Sequence, residues 1–185
     1  MRRIVLTTER LVLRALAEQD APSVQAMVSD FDVAGKLAVV PHPYPDGAAL
    51  EFIQRSRSKV PDQDGFDFAI TCDGDLIGIV SLHGQNHPNQ SDGIPGIGYW
   101  LGKPYWGRGY MTEAANEVLT WIFATLAPEI IRSGAFAHNS DSINVLTKLG
   151  FRRTGQSMLY CTARDTVLPH VDMELRETFR QGVAA

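Results

Sequence analysis

Pro104-Tyr105-Trp106-Gly107-Arg108-Gly109-Tyr110-Met111-Thr112-Glu113-Ala114-Ala115 is the stretch on which the reading of this chain turns. Two glycines flank an arginine, and an amphipathic helix begins at once. Apolar residues recur at Met111, Ala114/Ala115, Val118/Leu119, Ile122/Phe123 and Leu126, the spacing of one helix face. Immediately upstream, Ile97-Gly98-Tyr99-Trp100-Leu101 reads as a strand. A strand, a glycine-rich turn and a helix N-terminus make a ready phosphate site. Glycine lets backbone approach an anion closely. The first helical amides lack internal partners and carry the positive end of the macrodipole. Arg108 adds a formal charge. The plainer reading of the same residues is a tight turn feeding a core helix, since glycine is a default turn residue.

Neither common nucleotide motif is present. A P-loop requires G-x-x-x-x-G-K-[ST], and here Arg108-Gly109 follows Gly107. A dinucleotide fingerprint requires a third glycine where Thr112 stands.

Outward from this stretch, the chain has 185 residues, 44% of them hydrophobic and 21% charged, with a net charge of −4. That is enough for one domain, over 1–185, with a real core. No basic stripe points to nucleic acid, no apolar run is long enough for a membrane span, and no signal peptide is readable at the N-terminus. A cytoplasmic protein is the expectation. Cys72 and Cys161 are far apart and outside any C-x-x-C pattern, so reduced structural thiols are expected and no metal site.

Periodicity and turn residues predict a strand over 11–16 and a helix opening at Asp20-Ala21-Pro22. The proline-rich loop 41–47 comes next, then a helix over about 48–59. Strands over 66–70 and 76–82 flank an Asp73-Gly74 hairpin turn. After a polar loop, 84–93, come the strand at 97–101 and the long helix. A strand at 130–137 is followed by a helix over 139–149, with Asn139 at its N-cap and Gly150 at C′. Strands over 151–161 and 166–175 close the chain. Seven strands and four helices in this order imply an α/β (α+β) layer domain on a mixed sheet.

In that order, five pieces resemble the GNAT N-acetyltransferase superfamily, in the branch similar to the RimJ/RimL ribosomal-protein acetyltransferases. They are Thr8-Glu9-Arg10-Leu11-Val12-Leu13-Arg14, Leu76-Ile77-Gly78, Ile97 to Leu101, Tyr105 to Ala114, and Asn139-x-x-Ser142 with Lys148-Leu149-Gly150-Phe151. The resemblance spans about 7–176. It implies a mixed, mostly antiparallel seven-stranded sheet whose fourth and fifth strands splay apart to admit acetyl-CoA, used as co-substrate. The pantetheine arm would lie along Tyr99, Trp100 and Leu101. The pyrophosphate would lie on the turn and helix start, where Trp106, Gly107, Arg108, Gly109, Tyr110 and Met111 fill the family's Gln/Arg-x-x-Gly-x-Gly/Ala positions, with Thr112 next. Met111 departs from the small residue usual at the last position. Asn139 carries over as a cofactor contact, beside its role as a plain N-cap, and Asn144 as a weaker one. Ser142 would lie near the thiol, as proton donor to the leaving thiolate or merely as a helix-start residue. Tyr110 and Tyr105 are the other hydroxyls available for that role.

The resemblance implies transfer of acetyl to a primary amine by direct attack, the amine being a protein N-terminus or a small molecule. Many relatives carry Glu where this chain has Gly96. His83 is the replacement base considered, because an imidazole titrates at about 6.5; the alternative is a solvent-facing strand-end histidine. His170, in Pro169-His170-Val171-Asp172, is a second histidine that would reach the pocket or simply pack. Gly96 and Gly98 inside a strand pattern fit a bulge where backbone meets ligand. Two rival classes stand beside this reading, a non-catalytic acetyl-CoA-binding module and a different phosphate-ligand enzyme. A homodimer is expected by family analogy alone.

Overall fold

In the computed structural model, which describes residues 4–59, 64–84 and 93–177, alternating apolar residues build eight strands. They are β1 (Leu6–Thr7), β2 (Val12–Ala15), β3 (Gly65–Cys72), β4 (Asp75–His83), β5 (Gly96–Leu101), β6 (Ile130–Phe136), β7 (Arg152–Cys161) and β8 (Thr166–Arg176). The five α-helices are α1 (Ala21–Val28), α2 (Phe31–Ala34), α3 (Ala48–Ser58), α4 (Tyr110–Leu126) and α5 (Ser140–Lys148). One sheet holds all eight strands in the order β1-β2-β3-β4-β5-β6-β8-β7, antiparallel except between β5 and β6. The mixed α/β class read from the sequence holds. The two extra elements, β1 and α2, span two and four residues, too short to leave a periodic signal. Most of the expected polar loop at 84–93, with His87, lies outside the described residues.

The sheet separates two apolar clusters. On one face α4 packs Met111, Ala114, Ala115, Val118, Leu119 and Ile122 against strand residues such as Leu13, Phe68, Ile97 and Val171. On the other, Val24 and Val28 of α1 and Ala49 and Ile53 of α3 bury Leu16, Ala69, Leu76 and Ile79, with Trp100 at the margin. Successive residues of β5 therefore serve opposite layers, as a period of two requires: Tyr99 joins the α4 side and Trp100 the α1/α3 side.

The local signals read from sequence appear where expected. Asp73 and Gly74 both take positive φ, 52° and 92°, and join β3 to β4 in a two-residue turn at the Cys72↔Asp75 pair. Asn139 caps α5, its Oδ1 accepting the Ser142 amide at 3.3 Å. Gly150 follows the helix, and Phe151 N donates to Leu146 O at 3.0 Å. Cys72 and Cys161 are free thiols. The bulge expected at Gly96 and Gly98 is absent: β4 and β5 pair without interruption from Gly78↔Leu101 to His83↔Gly96. The glycines have another use, described below.

Asp20 ties the turn ahead of α1 to β2. Its carboxylate takes two bonds from the Arg14 guanidinium, at 2.7 and 2.8 Å, and one from the Ala17 amide at 2.8 Å. Burial pushes this carboxyl up, but the Arg14 and Ala17 hydrogen bonds outweigh it and hold it below its ordinary range. A carboxylate whose folded value is depressed contributes stability above its unfolded value, near about pH 4, and loses it as pH falls through the folded value. Asp20→Asn is therefore expected to lower the Tm at pH 7 and to flatten its fall between pH 5 and pH 3, in thermal unfolding over a pH series. An unchanged acid slope would contradict this role.

Candidate active site

The turn before α4 is built by its glycines. Gly107 and Gly109 take φ of +74° and +79°, a region L side chains rarely occupy. The first bond of the helix runs from Glu113 N to Gly109 O at 3.1 Å, so the Tyr110, Met111 and Thr112 amides precede the ladder. The N-terminal segment clamps this turn from behind. Arg10 donates from Nη1 to the Arg108 carbonyl at 3.0 Å and from Nε to Glu113 Oε2 at 2.7 Å, and its guanidinium lies 4.6 Å from the Tyr110 ring centre. Burial pushes the Glu113 carboxyl up, but bonds from Thr8, the Arg10 amide and the Arg10 side chain hold it below its ordinary range. An open groove of about 460 Å³ lies beside the turn, lined by Gly109, Thr112, Glu113, Asn116, Lys148 and Leu149. Amides at a helix start, with Arg108 on the turn and Lys148 on the groove wall, can hold phosphate groups.

From this turn the chain leads back to an opening in the sheet. β5 and β6 share a single pair, Gly96↔Arg132. Arg132 N still reaches Pro95 O at 2.9 Å, and the Ser133 hydroxyl, in place of a strand amide, donates to Ile97 O at 2.9 Å. Beyond that point the strands part. Across the opening, the Ser142 hydroxyl of α5 donates to the Tyr99 oxygen at 3.1 Å, and the Tyr99 hydroxyl donates to the Ser142 carbonyl at 3.2 Å. Burial drives the Tyr99 phenol well above its ordinary range, opposed by the Ser142 hydrogen bond. It therefore stays protonated at neutral pH and can donate a hydrogen bond. At the far end of β5, Trp106 Nε1 donates to Leu101 O at 2.8 Å under the ammonium of Lys36, 4.0 Å from the ring centre.

The other face of the opening carries two histidines. A Cβ built on Gly98 would stand 3.2 Å from His83 Cε1, so the His83 ring lies over Gly98. A Cβ on Gly134 would stand 2.3 Å from His170 Cε1 and 3.0 Å from Nε2, so the His170 ring lies over β6. The glycines of the two splayed strands are what let these rings reach inward.

The sequence-derived residues thus fall into separate groups. Tyr99 and Ser142 meet, Asn139 caps the helix that carries Ser142, and Gly107 to Thr112 form the turn. The Met111 side chain is buried in the core, so its size leaves its amide unobstructed. Trp100 faces the α1/α3 layer. The Tyr110 hydroxyl oxygen accepts from Cys72 Sγ at 3.8 Å, a different partner from those of Tyr99 and Ser142. Tyr105 packs against the α4 cluster, and Asn144 is exposed. Sequence reasoning missed the Tyr99 hydroxyl, because only its backbone was considered, and the reach of Arg10 to the turn, which spans 98 residues of chain and has no local signature. Among the described residues no group of three or more His, Cys, Asp or Glu is placed to hold a metal ion, and no helix is long and apolar enough to cross a membrane.

Residues 10–152 match the acetyltransferase (GNAT) domain. The chain belongs to the GNAT acetyltransferase family. It is 29% identical over 151 residues to the uncharacterized N-acetyltransferase p20 of Bacillus licheniformis, covering 81% of this chain and 83% of that one. It is 25% identical over 170 residues to the ribosomal protein uS5-alanine N-acetyltransferase of Escherichia coli, covering 85% and 83%. The crystal structure of the microcin C7 self-immunity acetyltransferase MccE, in complex with acetyl-CoA and AMP, shares the fold with a TM-score of 0.76 at 17% identity, over 91% of this chain and 93% of that one. The fold is that of a GNAT acetyltransferase.

The two close approaches differ in what must give way. At Gly134 a methyl group would also meet the Val171 carbonyl at 2.5 Å, whereas at Gly98 it meets only an imidazole edge. Overpacking against backbone costs about 1–3 kcal/mol. Gly134→Ala is expected to fall in that range, and Gly98→Ala below about 1 kcal/mol, in urea unfolding. Equal costs would mean the rings do not lie as described.

Proposed function

We propose that this GNAT enzyme transfers the acetyl group of acetyl-CoA to a primary amine by direct attack. The observation that carries this reading is the parting of β5 and β6 after the single Gly96↔Arg132 pair, with a phosphate-ready turn at one end of the gap. The Tyr110 to Thr112 amides, Arg108 and Lys148 would hold the phosphates. The open edge of β5 from Tyr99 to Leu101 would pair with the pantetheine amides, and Asn139 would add a contact beside its capping bond.

The chemistry needs a neutral amine, an oriented thioester and a proton for the departing sulfur. An alkylammonium of pKa about 10 must lose a proton before it attacks. The new C–N bond then forms as the C–S bond breaks. The nitrogen gives up a second proton, the thiolate takes up one, and one proton leaves to solvent. Ser142 and Tyr99, which donate hydrogen bonds to one another's residues, are the donors best placed for the thiolate. Tyr110 is the less favoured hydroxyl because of its contact with Cys72. His83, on the opposite face beside Gly98, is proposed to accept a proton from the amine. The named activity of the uS5 relative favours a peptide N-terminus as acceptor over a small-molecule amine.

A thiol-release assay with acetyl-CoA and a panel of N-terminal peptides, polyamines, aminoglycosides and amino acids tests this reading. Turnover on peptides is expected, and His83→Ala should lower kcat about 10²-fold or more, the lower end for general-base removal. Gly109→Trp should abolish the acetyl-CoA-induced rise in Tm, because a side chain is strained at a φ of +79° and would stand 3.5 Å from the Arg10 guanidinium that braces the turn. Normal acetyl-CoA binding by that variant would overturn the turn assignment. Tight binding with no turnover on any amine would instead support a non-catalytic acetyl-CoA-binding module.

A further inference from the structure

The histidine on the far side of the gap has the better-defined geometry of the two. His170 belongs to β8, paired with Phe136 of β6 and Ser157 of β7. Its Nδ1 lies 2.8 Å from Asp172 Oδ1. That same oxygen accepts the Ser157 hydroxyl at 2.9 Å, so the carboxylate is held from the neighbouring strand. Phe136 meets the imidazole edge-on at 5.9 Å between ring centres. A carboxylate at Nδ1 requires a proton there, which leaves the lone pair of the neutral ring on Nε2. Over Gly134 the ring presents Cε1 at 2.3 Å and Nε2 at 3.0 Å from the position of a Cβ.

The placement is symmetric about the last shared pair. Paired residues of neighbouring strands face the same side, so Gly96 and Arg132, and with them Gly98 and Gly134, lie on one face of the sheet. Each glycine is two residues past that pair, about 7 Å along its strand at roughly 3.3 Å per residue. His83 reaches over Gly98 from β4, and His170 reaches over Gly134 from β8. Two imidazoles therefore flank the same level of the gap from opposite sides, on the face away from Ser142 and Tyr99. The amine must shed two protons in all, and only one of them is needed by sulfur.

We propose that His170, oriented by Asp172, is a second general base of the acceptor site, taking a proton from the amine at Nε2 while His83 serves from across the gap. This rests on the acetyl-transfer reading. Asp172 is a positioning residue: it touches no substrate and acts by fixing the imidazole tautomer and stabilising the imidazolium that forms. The proton taken by Nε2 leaves to solvent once the product departs, through a side chain that remains 17% exposed.

The test has two arms on the full chain. In the first, ¹⁵N-histidine-labelled protein is examined by two-bond ¹H–¹⁵N correlation at a pH where the ring is neutral, with His170→Gln to assign the signal. The expected result is a proton on Nδ1 and a bare Nε2, with that tautomer lost or mixed in Asp172→Asn. A proton on Nε2 in the wild-type chain overturns the proposal, and this arm needs no turnover. In the second arm, thiol release is followed with acetyl-CoA and an N-terminal alanine peptide. His170→Ala is expected to lose about 10²-fold in kcat with its KM for acetyl-CoA unchanged, and added imidazole should restore part of the rate. Asp172→Asn should lose about tenfold, again in kcat alone. A His170→Ala variant within twofold of wild-type kcat overturns the proposal. Failure of the underlying reading looks different, since the wild-type chain itself would then release no thiol with any amine, whether or not it bound acetyl-CoA.

Discussion

One residue pair, Gly96↔Arg132, holds the two halves of the sheet together across β5 and β6. On one side β1 to β5 form an antiparallel block, and on the other β6, β8 and β7 form a second. A full ladder between β5 and β6 would satisfy the backbone of both strands, which is the default for buried polar groups. The chain forgoes it. Two interactions replace the missing ladder at the point of divergence: the Ser133 hydroxyl on Ile97 O, and the Tyr99–Ser142 exchange that ties β5 to α5 rather than to β6. The opening is kept as a feature of the fold, and α4 and α5 sit where they do because the apolar cluster on that face continues under both blocks.

The gap gives the two faces of the sheet different chemistry. On the α4 and α5 side are hydroxyls: Ser142, whose proton is directed at Tyr99, and a phenol that burial keeps protonated. On the other side are imidazoles. The proposed reaction, which removes protons from nitrogen and delivers one to sulfur, would draw on both faces. The strand glycines make the division possible. A side chain at position 98 or 134 would occupy the space through which each ring reaches the gap.

How much of this was legible in the sequence follows from the range of the interactions. The Asp73-Gly74 turn, the Asn139 cap, the Gly150 stop and the helix after Gly109 are local, each decided within a few residues, and all were readable. The motif run at Thr8 to Arg14 was legible as a resemblance without its reason. That reason is the bond from Arg10 to the Arg108 carbonyl and the Arg10–Glu113 ion pair, which only the folded chain brings together. Gly98 was read from its lack of a side chain as a bulge, since a glycine in a strand signals either a kink or a close approach. The sequence offers no way to separate those two, because what approaches comes from a neighbouring strand. The same blindness hid the Asp172–His170–Gly134 arrangement, in which the first two residues are adjacent in pattern but the glycine they need lies on β6.

The missing carboxylate at Gly96 is best understood in these terms. A glutamate there would project from the same face as Gly98 and Gly134, at the level of the Gly96↔Arg132 pair, into the space beside His83, its register partner on β4. Its removal clears that space. On this face β5 and β6 carry Gly96, Gly98 and Gly134 beside Arg132, and the two imidazoles come from the strands behind them. The cost is the dependence of each imidazole on a second strand's backbone, which makes Gly134 as exacting a position as His170 itself. The carboxylate partner, Asp172, stands at Nδ1 of the ring, and Ser157 holds it from β7.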